Sequence, residues 1–132
     1  MDIQYKTGII PEATAIATLY NEAGLPRPTH DVERIGKMYE HSNLVVTAWH
    51  GDRLVGVSRS ITDWVWSAYL ADLAVHPDYM QSGIGRKLIE LTKQTAGEQV
   101  MIILLSVPTA MEYYPKVGFT KEDRAFSMSR SN

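Results

Sequence analysis

A β-rich run, "SAYLADLAV" at 67–75, leads into a turn with two glycines, "MQSGIGRKL" at 80–88, then a helix and an unbroken apolar run. This succession of strand, glycine turn, helix and strand restricts the chain more than any other feature. Strands joined through a helix lie parallel, and the crossover packs the helix onto the sheet with a fixed hand. Within the helix, Ile84, Leu88, Leu91 and Thr95 recur on one face and Gly97 ends it. The run that follows has no polar residue between Val100 and Leu105, the pattern of a central strand buried on both faces. Strands over 69–75 and 99–105 are expected side by side and parallel.

The remaining elements follow from periodicity and breakers. "IQYKT" is a short first strand. From Pro11, Ala13, Ile16, Ala17, Tyr20 and Ala23 fall on one helical face, and Gly24 stops that helix. Thr29 is expected to cap a second helix carrying Val32, Ile35 and Met38 or Tyr39, with Asp31 and Glu33 in its first turn. "NLVVTAWH", the turn "GD" and "RLVGVSRSIT" read as a hairpin. Near the end, "PTAMEYYPK" reads as a short helix, and Phe119 to Met128 as a last β run that closes the sheet.

Composition narrows the partners. The 132 residues, 45% of them hydrophobic, suit one globular domain over 1–132. With 13 Lys and Arg against 15 Asp and Glu and no basic face or run, nucleic acid is not an expected partner. No apolar run approaches the roughly 20 residues that cross a bilayer, and "MDIQYKTGII" has no apolar signal core, so no membrane association and a cytoplasmic location are expected. The chain has no cysteine, which excludes disulfides, thiolate metal ligands and an acyl-cysteine intermediate. Histidines 30, 41, 50 and 76 share no ligand spacing on one element, so no metal is expected.

Glycine is costly inside a helix, so Gly83 and Gly85 serve either a tight turn or the close approach of something large. A helix N-terminus with open N–H groups is a seat for phosphate, and Arg86 adds a cation beside it. Two familiar phosphate loops fail. A dinucleotide fingerprint needs glycine where Leu88 stands, and a P-loop needs Gly-Lys-Ser/Thr where the chain has Gly85, Arg86 and Lys87.

What remains resembles the GCN5-related N-acetyltransferase superfamily. "LADLAVHPDYMQSGIGRKLIE" is similar to that family's pyrophosphate loop with its preceding strand, Arg/Gln-x-x-Gly-x-Gly/Ala. "AMEYYPKVGF" is similar to its second landmark, a tyrosine four residues before Gly-Phe, and the order of elements matches over essentially the whole chain. The departures are Met80, at the position of the motif's Arg or Gln, with Gln81 one place later, and Val107, where an asparagine is often found.

The resemblance implies an α/β (α+β) fold: a mixed, mostly antiparallel sheet with two splayed central parallel strands and helices on both faces. It further implies acetyl-CoA as cosubstrate, held by strand backbone at Leu73, Ala74 and Val75 and by the loop Gln81, Ser82, Gly83, Ile84, Gly85 and Arg86. A splayed strand leaves N–H and C=O groups that an amide-bearing arm can satisfy, and a backbone N–H near Leu73 would polarise the thioester carbonyl. Tyr114 holds the family position of the general acid, with Tyr113 its alternative; Asp72 is the candidate base or water-ordering group, or else structural.

The resemblance points to "GLPRPTH" and "TDWVWS" as walls of an acceptor site. Trp64 and Trp66 alternate with Val65, an aromatic wall if both face one side. The leading expectation is transfer of acetyl directly to a primary amine of a small molecule or peptide. The rivals are a CoA-binding regulatory or interaction module without turnover, and a nucleotide-binding module using the same turn. A homodimer is expected as the commonest closed assembly.

Overall fold

A computed structural model describes residues 2–131. The elements are β1 (Gln4–Thr7), α1 (Ala13–Ala23), α2 (Val32–Glu40), β2 (Leu44–His50), β3 (Arg53–Thr62), β4 (Ser67–Val75), α3 (Ile84–Ala96), β5 (Met101–Ile103) and α4 (Tyr113–Lys116). Short 3₁₀ turns at Pro77–Tyr79 and Pro108–Ala110 precede α3 and α4. The five strands lie in the order β1-β2-β3-β4-β5, antiparallel except for β4 with β5.

Helices cover both faces. Ile16, Leu19 and Tyr20 of α1 and Ile35 and Tyr39 of α2 bury against Val45, Val57 and Ala74. On the other face, Ile84, Leu88 and Ala96 of α3 bury against Val46, Ala48, Val55 and Ala68. The expected breakers act where the chain must turn: Gly24 closes α1 in a left-handed conformation at φ +73° and Gly97 ends α3.

Four expectations are corrected. α2 is capped by Asp31, whose carboxylate accepts from the Arg34 N–H at 3.1 Å, while the Thr29 hydroxyl donates to Asn21 Oδ1 at 2.6 Å. Thr29 lies three residues before the first helical residue, in a turn of its own, beyond capping reach. The buried face of α3 is Ile84, Leu88, Ile89, Thr92 and Ala96, with Thr95 exposed. Thr92 belongs inside because its hydroxyl meets Ser58 Oγ at 2.8 Å and returns a bond to the Leu88 carbonyl.

The apolar run at 99–105 makes only the three-residue β5, at the sheet edge, with Met101 58% exposed. Phe119 to Met128 forms no strand, and Phe126 and Met128 stand 98% and 100% exposed. One correction explains the other. Without a strand from the C-terminal run on its far side, β5 has one neighbour, so the parallel pair lies at an edge and not at the centre.

One irregularity sets up the site. β3 and β4 pair Arg59 with Asp72 but Ser60 with Leu70, so Ala71 bulges out of register. Side chains after the bulge change faces. Asp72 joins Arg59 on the α1/α2 side, while Leu73 and Val75 pack toward α3.

Candidate active site

β4 and β5 pair only from Ser67–Met101 to Tyr69–Ile103, yet β4 runs on to Val75. Beyond Tyr69 the two chains part. The backbone of β4 from Ala71 onward is left facing a notch, with Leu73 and Val75 half-buried beside it.

β4 leads through a turn into α3, and Val75 at the end of the strand lies beside Gly85 in the first turn of that helix. The approach is stiff: His76 Nδ1 accepts from the Asp78 N–H at 3.1 Å, the Tyr79 hydroxyl bonds His50 Nδ1 at 2.6 Å, and the Ser82 hydroxyl donates to the Tyr79 carbonyl. Gln81 and Gly83 both take positive φ, +70° and +81°. Gly83 is the N-cap and offers no side-chain acceptor; the first helical bond is Lys87 N–H to the Gly83 carbonyl at 3.0 Å. The N–H groups of Ile84, Gly85 and Arg86 are therefore open at the positive end of a three-turn helix.

The two glycines have different reasons. Gly83 supplies the left-handed turn, with empty space around the missing Cβ. Gly85 has ordinary helical backbone, but a Cβ there would meet the Tyr113 hydroxyl at 2.5 Å and Val75 Cγ2 at 3.8 Å. The large group approaching this glycine is a phenol of the chain itself. Arg86 donates to the Lys116 carbonyl at 3.1 Å, tying α3 to the end of α4. Met80, where the pattern has Arg or Gln, is exposed.

Tyr113 and Tyr114 stack edge to face, centroids 5.4 Å apart, and Tyr114 meets Phe119 in the same way at 5.6 Å. Partial burial pushes both phenols above their ordinary pKa. Arg86 works against that rise at Tyr113; at Tyr114, Tyr113 adds to it and Arg27 opposes it. Both phenols therefore remain protonated across the physiological range.

Asp72 is the centre of a buried charge cluster. Its Oδ1 accepts from Arg27 Nε at 2.6 Å, and its Oδ2 accepts from Arg59 Nε and from the Tyr20 hydroxyl, each at 2.7 Å. Tyr20 in turn bonds the Tyr39 hydroxyl. Burial pushes the Asp72 carboxyl up, but the Arg59 hydrogen bond, the charges of Arg59 and Arg27 and the Tyr20 hydroxyl outweigh it and hold the group below the usual range. Sequence reasoning missed Arg27, Arg59, Tyr20 and Tyr39. Arg27 had one local signal, its place between Pro26 and Pro28 in the loop expected to wall the acceptor.

The strand alternation read for Trp64 and Trp66 is absent. Residues 63–66 turn, with Trp64 at φ +68°, and the Asp63 carboxylate gathers the N–H groups of Val65, Trp66 and Ser67 at 2.8–3.1 Å. Strand alternation therefore fails here, and both indoles are exposed. Beneath this turn Ile61, Tyr69 and Ile103 line a shallow hollow of about 450 Å³. Among the described residues no group of three or more His, Cys, Asp or Glu could hold a metal ion, and no helix is long and apolar enough to cross a membrane.

Known proteins share this fold. A probable acetyltransferase of unknown function from methicillin-resistant Staphylococcus aureus superposes with a TM-score of 0.85 at 24% identity, covering 99% of this chain and 100% of that one. A predicted acetyltransferase from Clostridium acetobutylicum, its crystal structure holding acetyl-CoA, superposes with a TM-score of 0.76 at 11% identity, covering 97% and 96%. An uncharacterised ycf52-like N-acetyltransferase from Prochlorococcus marinus is 28% identical over 99 residues, which cover 70% of this chain and 55% of that protein. The chain spans about half the length of the curated relatives it matches. Residues 41–121 match the acetyltransferase (GNAT) domain, more than half of the sequence, and the chain belongs to that family.

Proposed function

We propose that this protein is an acetyl-CoA-dependent N-acetyltransferase that acts on a primary amine of a small molecule or peptide. The observation that carries the reading is the notch: a parallel pair that opens after Tyr69–Ile103, with Val75 at the end of the opened strand beside Gly85 in the first turn of a helix whose N–H groups are open. Such an opening suits a long ligand with an amide-bearing arm and an anionic body. The backbone of Leu73, Ala74 and Val75 would pair with the arm, and the turn from Gln81 to Arg86 would receive the pyrophosphate. When bound, acetyl-CoA supplies the acetyl group as a thioester.

The chain's own residues then have separable tasks. With no cysteine to form an acyl-enzyme, the acceptor nitrogen attacks the thioester carbon directly, and the carbon–sulfur bond breaks. Tyr114 gives its proton to the leaving sulfur and regains one from solvent, to which the amine loses two, one before it attacks and one after. Asp72 is assigned to positioning and not to proton abstraction, since both its oxygens already accept from cationic or phenolic donors. Most of the acceleration then comes from holding two substrates in one cleft.

The test is acetyl-CoA-dependent release of thiol, clean because the protein has none of its own, with calorimetry of CoA binding run beside it. Turnover that needs an amine acceptor supports the reading. CoA binding without transfer to any of a broad panel of amines would replace it with a regulatory module.

A further inference from the structure

Arg27 is held with unusual rigidity for a loop arginine. It lies between Pro26 and Pro28, whose rings restrict the backbone, and its guanidinium bonds three partners: Asp72 Oδ1 at 2.6 Å, the Pro26 carbonyl at 2.7 Å and the Ala71 carbonyl at 2.9 Å. A guanidinium has five N–H groups, so one on each terminal nitrogen remains uncommitted, and the side chain is 25% exposed.

Its place in the fold is specific. Ala71 is the bulged residue, two positions past the last β4–β5 pair, so Arg27 caps the carbonyl where the strands part. It does so from the α1/α2 side, opposite the face on which Leu73 and Val75 meet α3. Its charge also opposes the rise that burial imposes on the Tyr114 phenol.

The local charge does not balance. Arg27 and Arg59 share one carboxylate, Asp72, and form no other ion pair among the described residues. A fixed, partly exposed cation with free donors repels a second cation and matches a planar anion. Two residues before Ala71 on the same strand, Tyr69 joins Ile61 and Ile103 in lining the hollow, which offers apolar surface.

We propose that the acceptor carries a carboxylate as well as its amine, an α-amino acid with an apolar side chain, and that Arg27 receives the carboxylate. This rests on the acetyltransferase reading and narrows its substrate class. A polyamine, with two or more positive charges and no anion, is the acceptor this site disfavours.

The experiment is calorimetry of matched ligands on the CoA-loaded protein: phenylalanine, its amide, phenethylamine, and the phosphonate analogue of phenylalanine. Phenylalanine is expected to bind about tenfold or more tightly than the amide and phenethylamine, a margin of about 1.4 kcal/mol. Arg27→Gln should remove that margin, and Arg27→Lys, which keeps the charge but not the fork, should retain part of it. The wild-type comparison decides the matter even if a variant fails to fold. Equal or reversed affinities, no binding of phenylalanine, or preference for the phosphonate would overturn the carboxylate assignment. Turnover with phenethylamine alone would do so while leaving the acetyltransferase reading intact, and loss of CoA binding would sink that reading instead.

Discussion

The Tyr113 hydroxyl occupies the space a Cβ on Gly85 would need, with 2.5 Å between them. The second glycine of the turn is thus explained by packing, and the explanation can be checked by a change of sign. Gly85→Ala should destabilise the wild type by about 1–3 kcal/mol through overpacking. In a Tyr113→Phe background the nearest remaining atom is at an ordinary 3.4 Å, and the same substitution should instead stabilise by about 0.5–1 kcal/mol through helix propensity. Denaturant midpoints of the four proteins give the answer; the same sign in both backgrounds would refute the contact.

Tyr114→Phe should lower acetyl transfer roughly 100- to 10,000-fold with CoA affinity unchanged, whereas Tyr113→Phe should act mainly on affinity. Burial first, then Tyr113, raises the Tyr114 pKa from a free value of about 10 against the pull of Arg27. The acid is therefore present at all lower pH, and wild-type turnover should show no alkaline decline until above about pH 10. A decline centred near neutrality would assign the proton to another group.

Asp72→Asn removes the one carboxylate from between two guanidinium groups and should destabilise by about 3–5 kcal/mol. The folded-state pKa of Asp72 lies below its unfolded value of about 3.9. Its contribution is present above that value and is lost as pH falls through the folded one. Wild-type stability should drop on acidification below about pH 4, and the Asn variant should lack that component. Parallel curves for the two proteins would show that Asp72 is not the titrating group.

Phe126→Ser and Met128→Ser should change stability by no more than about 0.5 kcal/mol, since both side chains stand free of the core. A larger loss, read from thermal melts at two protein concentrations, would place these residues in contacts beyond the single chain.

Most of the fold was legible because its signals are local. Apolar spacing and breakers marked β1 to β4 and α1 to α3, and Gly83 and Gly85 stood out by their place before a helix, whereas Tyr114 came only with the family resemblance. The misreadings arose where a local pattern had no partner to act on. The run at 99–105 is apolar enough for a buried strand but acquired a neighbour on one side only. Trp64 and Trp66 alternate in sequence, yet the Asp63 carboxylate folds their backbone into a turn.

The sequence by itself determined the strand, glycine turn and helix, because φ preference and hydrophobic period act over a few residues. Only the tertiary structure decided what Asp72 does. The Ala71 bulge turned it to the α1/α2 face, and Arg27, 45 residues earlier in the chain, reached it there. Register and long-range ion pairing depend on how whole elements dock, so no local spacing carries that information.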